Sequence, residues 1–204
     1  MERKTLCIAT RNANKVAEMA EALAPWWVVK SSADYPELEE IEETGDTFLA
    51  NATLKAQITS ATIADYVLAD DSGLEADALD GAPGVFSARY GGIPSSTEKN
   101  NAKLLEELTR VGAVTPQQRA ARYRCVLALA REGELIQSFD GTCEGTIATT
   151  AKGTGGFGYD PLFIPQGYAR TFGQLGPKTK ANLSHRALAL KKFIAWCKAN
   201  PMEE

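Results

Sequence analysis

The sequence has little of several things that mark other kinds of protein. It holds a single histidine, His185, in 204 residues. Its four cysteines, Cys7, Cys125, Cys143 and Cys197, lie far apart and form no C-x-x-C pair. This argues against a secreted disulfide framework and a zinc knuckle, and for buried reduced thiols. No apolar run approaches the length of a membrane span, and the segment behind Met1 is too short for a signal-peptide core. A cytoplasmic location without membrane contact is expected. Long runs of one charge are missing, and the net charge of -4 leaves no basic footprint for duplex nucleic acid. No direct nucleic-acid binding is expected, although a few clustered Lys and Arg could still hold a polyphosphate. There is no G-x-S-x-G, so a Ser-His-Asp hydrolase is poorly supported.

What is present suits one domain, residues 1–204, with a real core: 44% of the residues are hydrophobic. Thr5–Ala9 reads as a buried strand, Asn12–Ala24 as a helix stopped by Pro25, and Trp26–Val29 as a second strand. Pro36–Glu43 reads as an acidic loop. Asp46 is placed to cap a helix over Thr47–Ala64. Tyr66–Ala69 reads as a strand ending at Asp70-Asp71, followed by irregular, glycine-rich structure over Gly73–Gly92 and a helix over Ser95–Val111. Arg122–Ala130 and Leu135–Phe139, joined by Arg131–Glu134, read as a hairpin continued by Thr142–Thr149. Leu162–Ile164 reads as a strand. Ser184 is placed to cap a last helix, on which Ala187, Leu190, Ile194 and Cys197 share a face. A βαβαβ start, a meander and a closing helix predict an α/β fold: a mixed sheet with helices on its faces, and two lobes around a cleft.

Five segments could carry chemistry. Thr10-Arg11-Asn12-Ala13-Asn14-Lys15 joins the first strand to a helix start, where free N–H groups and the helix dipole suit an anion. It lacks the glycines of a Walker A loop, and reads equally as a polar helix start. Glu42 and Glu43 precede a helix on which Asn51 and Lys55, four apart, share a face. Asp70-Asp71-Ser72 sits where open α/β sheets bind ligands, and its hard oxygens suit Mg²⁺ shared with phosphates; an Asx turn is the bland alternative. Gly153–Gly158 allows close backbone approach, and Phe157 and Tyr159 could stack on a base or lie in the core. Lys180, His185 and Arg186 could contact an anion or a base.

In this order the stretches TRNANK, EETGDTFLANATLKA, ADDSGL, ALDGAPGVFSARY, GTGGFGYDPLF and SHRALAL resemble the inosine triphosphate pyrophosphatase family. They run from residue 10 to residue 190. One departure is Gln174, where the family pattern suggests a glutamate, with Gly173 in place of alanine. No charged role is expected there.

The resemblance implies an elongated α/β protein with a long curved mixed sheet and a nucleotide cleft, usually a homodimer. It implies hydrolysis of ITP, dITP and XTP to the monophosphate and pyrophosphate, by Mg²⁺-assisted attack of water at the α-phosphorus. By the same resemblance, Thr10, Arg11, Asn12, Ala13, Asn14, Lys15, Lys55 and Ser72 face the triphosphate. Asp71 and a glutamate of the Glu42-Glu43 pair hold Mg²⁺. Phe157, Gly158, Tyr159, Asp160, Lys180, His185 and Arg186 surround the base and sugar. Asp71, Lys15 and Lys55 carry the chemistry. The alternatives are a non-catalytic nucleotide-binding protein on the same scaffold and a pyrophosphatase for other modified nucleotides.

Overall fold

The first strand and its neighbours set the frame. In the computed structural model, which describes residues 3–200, β1 (Thr5–Ile8), β2 (Val28–Ser31), β3 (Tyr66–Ala76), β4 (Ala120–Arg131), β5 (Glu134–Ile147) and β6 (Phe163–Pro165) form one sheet. Its order is β2-β1-β3-β4-β5-β6. β1 runs parallel to β2 and to β3, with Thr5 opposite Val28 and Leu6 opposite Tyr66. Parallel neighbours need crossovers, and α1 (Ala13–Leu23) and α2 (Phe48–Thr62) lie in them. β5 and β6 are antiparallel. The fold is therefore mixed α/β, as the pattern predicts. α3 (Thr97–Arg110), α4 (Pro177–Leu183) and α5 (His185–Ala199) complete it.

The chain divides into two compact units. One takes the chain up to Asp71, then Cys125–Gly141, then the chain from Leu188 on; the other takes Ser72–Arg124 and Thr142–Ala187. The first has a core of Leu6, Ile8, Leu68, Leu127 and Leu129 with Met19 and Leu23 of α1 and Phe193 of α5. The second has a core of Leu74, Leu104, Leu108, Tyr123, Phe163 and Phe172.

Several local expectations shift. β2 starts at Val28 because Trp26 and Trp27 close the turn after α1, both amides donating to Leu23 O. Thr47, not Asp46, caps α2: its side chain accepts from Ala50 N. β3 runs on through Asp70 and Asp71 to Ala76, because both aspartates find partners inside the protein and the buried Leu74 and Ala76 follow. The irregular stretch starts only there, with short 3₁₀ helices at Asp77–Leu79 and Gly84–Arg89. β5 is one strand rather than two. Gly145 lets β6 approach it, since a Cβ there would lie 2.3 Å from Ile164 O. The hairpin turn falls on Glu132 and Gly133, with φ of 54° and 82°, the pair of left-handed residues that a two-residue hairpin loop demands. Ser184 caps α5 as expected, accepting from Ala187 N. Just before it lies α4, opened by Pro177 and unread in the sequence.

Candidate active site

In the first unit, charged residues gather around Asp70 and Asp71. β3 carries both aspartates, which are almost fully buried at 0% and 5% exposed. Burying a carboxylate is costly unless it is paired and hydrogen-bonded. Lys15, in the first turn of α1, meets Asp70 Oδ1 at 2.5 Å, and the Cys125 thiol donates to Asp70 Oδ2 at 3.1 Å. Lys55 reaches three oxygens: Glu43 Oε1 at 2.5 Å, Asp70 O at 2.8 Å and Asp71 Oδ1 at 3.5 Å. Asn51, one turn earlier on α2, donates to Asp71 Oδ2 at 3.1 Å, and its own oxygen accepts from Gly45 N at 2.7 Å. The shared face of Asn51 and Lys55 thus meets both Asp71 and the loop that bears Glu43.

Electrostatics follow from this crowding. Burial pushes the Asp71 carboxyl up to about 6, with Glu43 adding to it and Lys55, Lys15 and the Asn51 hydrogen bond opposing. Burial pulls Lys55 down, but Asp71 and Glu43 outweigh it and leave its pKa above the ordinary lysine value. A carboxyl that titrates near neutrality can take a proton from water and release it again.

The Glu42-Glu43 pair splits. Glu43 turns to Lys55, while Glu42 is exposed. Among the described residues, no three His, Cys, Asp or Glu side chains converge as a metal cluster. The oxygens of Glu43 and Asp71 instead converge on one cation, the Lys55 ammonium. Two carboxylates without His or Cys suit a hard divalent ion that also takes phosphate oxygens.

The start of α1 differs from an open anion cradle. Asn12 Oδ1 accepts from both Asn14 N and Lys15 N, and Thr10 Oγ1 accepts from Asn12 N. These three amides are already engaged by the loop's own side chains. The Arg11 guanidinium donates to Leu38 O at 2.6 Å. Asn12, Ala13 and Asn14 remain exposed.

In the second unit, another polar cluster forms around Asp160, which is 1% exposed. Its Oδ2 accepts from Lys180 Nζ at 2.6 Å and from Phe157 N at 2.8 Å; its Oδ1 accepts from the Tyr123 hydroxyl at 3.2 Å. Gly156 makes room, since a Cβ there would lie 2.0 Å from Asp160 Oδ2. Lys180 Nζ stands 4.3 Å from the centre of the half-buried Phe157 ring, and Arg186 Cζ stands 5.8 Å from it. Arg186, 2% exposed, donates to Ser72 Oγ at 2.9 Å. His185 is buried against Tyr123. Gly158 O accepts from Asn101 Nδ2.

Of its two sequence readings, Tyr159 takes the core one: it is 4% exposed and its hydroxyl donates to Ser87 O at 2.7 Å. Gln174 takes the uncharged part expected of it: its side-chain oxygen accepts from Thr171 N at 3.2 Å and closes a turn. Gly173 is needed as glycine, because a Cβ would lie 2.7 Å from Lys152 O. Nothing in the sequence marks Cys125 as the partner of Asp70 or Tyr123 as that of Asp160. Cys125 and Tyr123 alternate with other residues on β4, where a thiol and a phenol read as ordinary core.

Known proteins resemble the chain over nearly its whole length. A model of the Ham1 family matches residues 6–196. The dITP/XTP pyrophosphatase of Halalkalibacterium halodurans is 48% identical over 194 residues, 95% of this chain and 98% of its own. That of Desulforamulus reducens is 48% identical over 190 residues, 93% of each chain. The structure of a HAM1 protein from Coxiella burnetii superposes with a TM-score of 0.86 at 35% identity, over 96% of this chain and 99% of its own. With a family match across nearly its whole length and relatives close to half identical, the chain belongs to the Ham1 family.

Proposed function

We propose that the protein hydrolyses ITP, dITP and XTP to the nucleoside monophosphate and pyrophosphate, and so keeps these bases out of DNA and RNA. The observation that carries this is Asp71: a buried carboxyl poised near neutrality beside the Lys55 ammonium, in a chain of the Ham1 family. In the reaction, a water oxygen bonds to the α-phosphorus, the bond from that phosphorus to the α–β bridging oxygen breaks, and pyrophosphate leaves with that oxygen. Asp71 orients the water and accepts its proton. Lys15 and Lys55 neutralise charge on the leaving pyrophosphate. Glu43 and Asp71 would hold Mg²⁺, and the ion would supply positive charge beside the phosphate oxygens.

In the same reading, Thr10–Lys15 and Ser72 serve the phosphates, and Phe157, Gly158, Asp160, Lys180, His185 and Arg186 serve the base and sugar. A donor near Ser184–Arg186 donates to the 6-keto oxygen of hypoxanthine or xanthine and opposes the 6-amino group of adenine. Arg186 aimed at position 2 tolerates hydrogen, favours oxygen and opposes the amino group of guanine. The cytosolic location is tested by fractionation, and the pairing of two copies, which comes with the resemblance, by sedimentation.

The deciding experiment is a nucleotide panel with pyrophosphate detection, with and without chelator. The expected kcat/KM is high for ITP, dITP and XTP and at least about a hundredfold lower for ATP and GTP. Chelator should abolish it, and Mn²⁺ should partly replace Mg²⁺. Arg186→Ala should narrow the ITP-to-GTP gap more than the ITP-to-ATP gap. Nucleotide binding without pyrophosphate release would leave a non-catalytic binding protein instead.

A further inference from the structure

His185 and the Asp160–Lys180 pair share a neighbour that the reaction above does not use. Tyr123 of β4 is 6% exposed. Its ring lies face to face with the His185 imidazole, centroids 4.6 Å apart and planes 10° from parallel. Its hydroxyl donates to Asp160 Oδ1. Asp160, in turn, holds Lys180 Nζ and Phe157 N with its other oxygen. Phe163 and Phe172 pack against Tyr123, at 4.7 and 6.3 Å between centroids. A buried tyrosine hydroxyl needs a hydrogen-bond partner, but any core carbonyl would serve. Tyr123, held by its neighbours in the core, touches a buried imidazole and a buried carboxylate at once. Burial, with the Asp160 carboxylate adding, holds its phenol well above the ordinary range, so the hydroxyl stays a donor.

We propose that Tyr123 is a positioning residue for base recognition: its ring sets the plane of His185, and its hydroxyl sets Asp160 and, through it, Lys180 and the Phe157 backbone. The inference rests on the pyrophosphatase reading. A hydrogen bond to a base discriminates only if its donor points one way. Loosening these groups should weaken binding and base choice while leaving the chemistry around Asp71 unchanged.

Two variants separate the ring from the hydroxyl. Tyr123→Phe removes only the hydroxyl, and Tyr123→Leu removes both. Because His185 is the sole histidine, its ring protons can be read directly by NMR. Stacking on Tyr123 should shift them upfield in the parent and in Tyr123→Phe, and the shift should vanish in Tyr123→Leu. KM for dITP should rise about threefold in Tyr123→Phe and about tenfold in Tyr123→Leu, with kcat within about twofold. The preference for dITP over dGTP should shrink in Tyr123→Leu. In a His185→Ala background, Tyr123→Leu should add no more than Tyr123→Phe does, because the ring acts through the imidazole. Unshifted parent signals, an unchanged KM in Tyr123→Phe, full additivity of Tyr123→Leu with His185→Ala, or a loss confined to kcat would each overturn the proposal. If Tyr123→Leu fails to fold, the KM of Tyr123→Phe decides. If the parent releases no pyrophosphate from dITP, the pyrophosphatase reading fails and base recognition falls with it. The histidine shift then still reports whether Tyr123 fixes the imidazole.

Discussion

Asp70 and Asp71 are neighbours in sequence with different surroundings. Asp70 is fully buried against the Lys15 ammonium and the Cys125 thiol. Removing one partner of a buried pair leaves a charge poorly compensated, so Lys15→Ala should cost about 3 kcal/mol of stability in urea unfolding. Adding Asp70→Asn should recover most of that loss. Equal stability of Lys15→Ala and the exposed-site variant Lys198→Ala would show the pair to be energetically idle. Asp71 behaves differently because its carboxyl is raised to about 6 from 3.8. The folded protein holds this proton to a higher pH than the unfolded chain does. The cost of ionising it is therefore nil below about pH 4, grows as the pH rises towards 6 and is complete above that. In metal-free protein, Asp71→Asn should lack this decline and gain on the order of 2 kcal/mol over the parent above pH 6; with Mg²⁺ added, it should lose most of the parent's turnover. A pH-stability curve parallel to the parent's would argue against the raised carboxyl.

Helix starts show how adjacent residues compete for one role. Asp46 and Thr47 are both good caps, and the sequence offers both. Thr47 wins because the helix starts at Phe48, which is buried, and this leaves Thr47 at the capping position with its oxygen on Ala50 N. Thr47→Ala should cost about 1 kcal/mol, and Asp46→Ala close to nothing, by thermal unfolding. Reversal of that order would return the cap to Asp46. β3 makes the same point for strands. Paired aspartates look like a strand end, because charge in a strand usually meets water. Here α1, α2 and β4 supply the partners, so the ladder continues.

At the scale of the molecule, α5 closes the core of the first unit. Phe193 is fully buried, 5.4 Å from the Phe139 ring and 6.4 Å from the Trp27 ring by centroids. Phe193→Ala should cost about 3–4 kcal/mol, read as a lower urea midpoint with an unchanged slope. A chain ending at Ala187 would also lose Ala189 and Leu190 from the same cluster and should show no cooperative transition. A loss under about 1 kcal/mol for Phe193→Ala would mean the helix is dispensable to this core.

The sequence by itself determined a good part of this. Helical periodicity marks α1, α2, α3 and α5, and Gly133 marks the Arg131–Glu134 connection as a turn. The ordered motifs mark the family. The existence and type of such elements follow from short-range backbone and side-chain chemistry. The tertiary structure alone decided which side chains meet. Lys15 and Asp70 are 55 residues apart, and Lys180 and Asp160 are 20 apart. Whether Glu42 or Glu43 turns inward, whether Tyr159 faces a ligand or the core, and that Tyr123 and Cys125 touch the two buried clusters depend on strand register and packing. Spacing along the chain carries no trace of such contacts, because pairing across a sheet brings together residues that the sequence holds far apart.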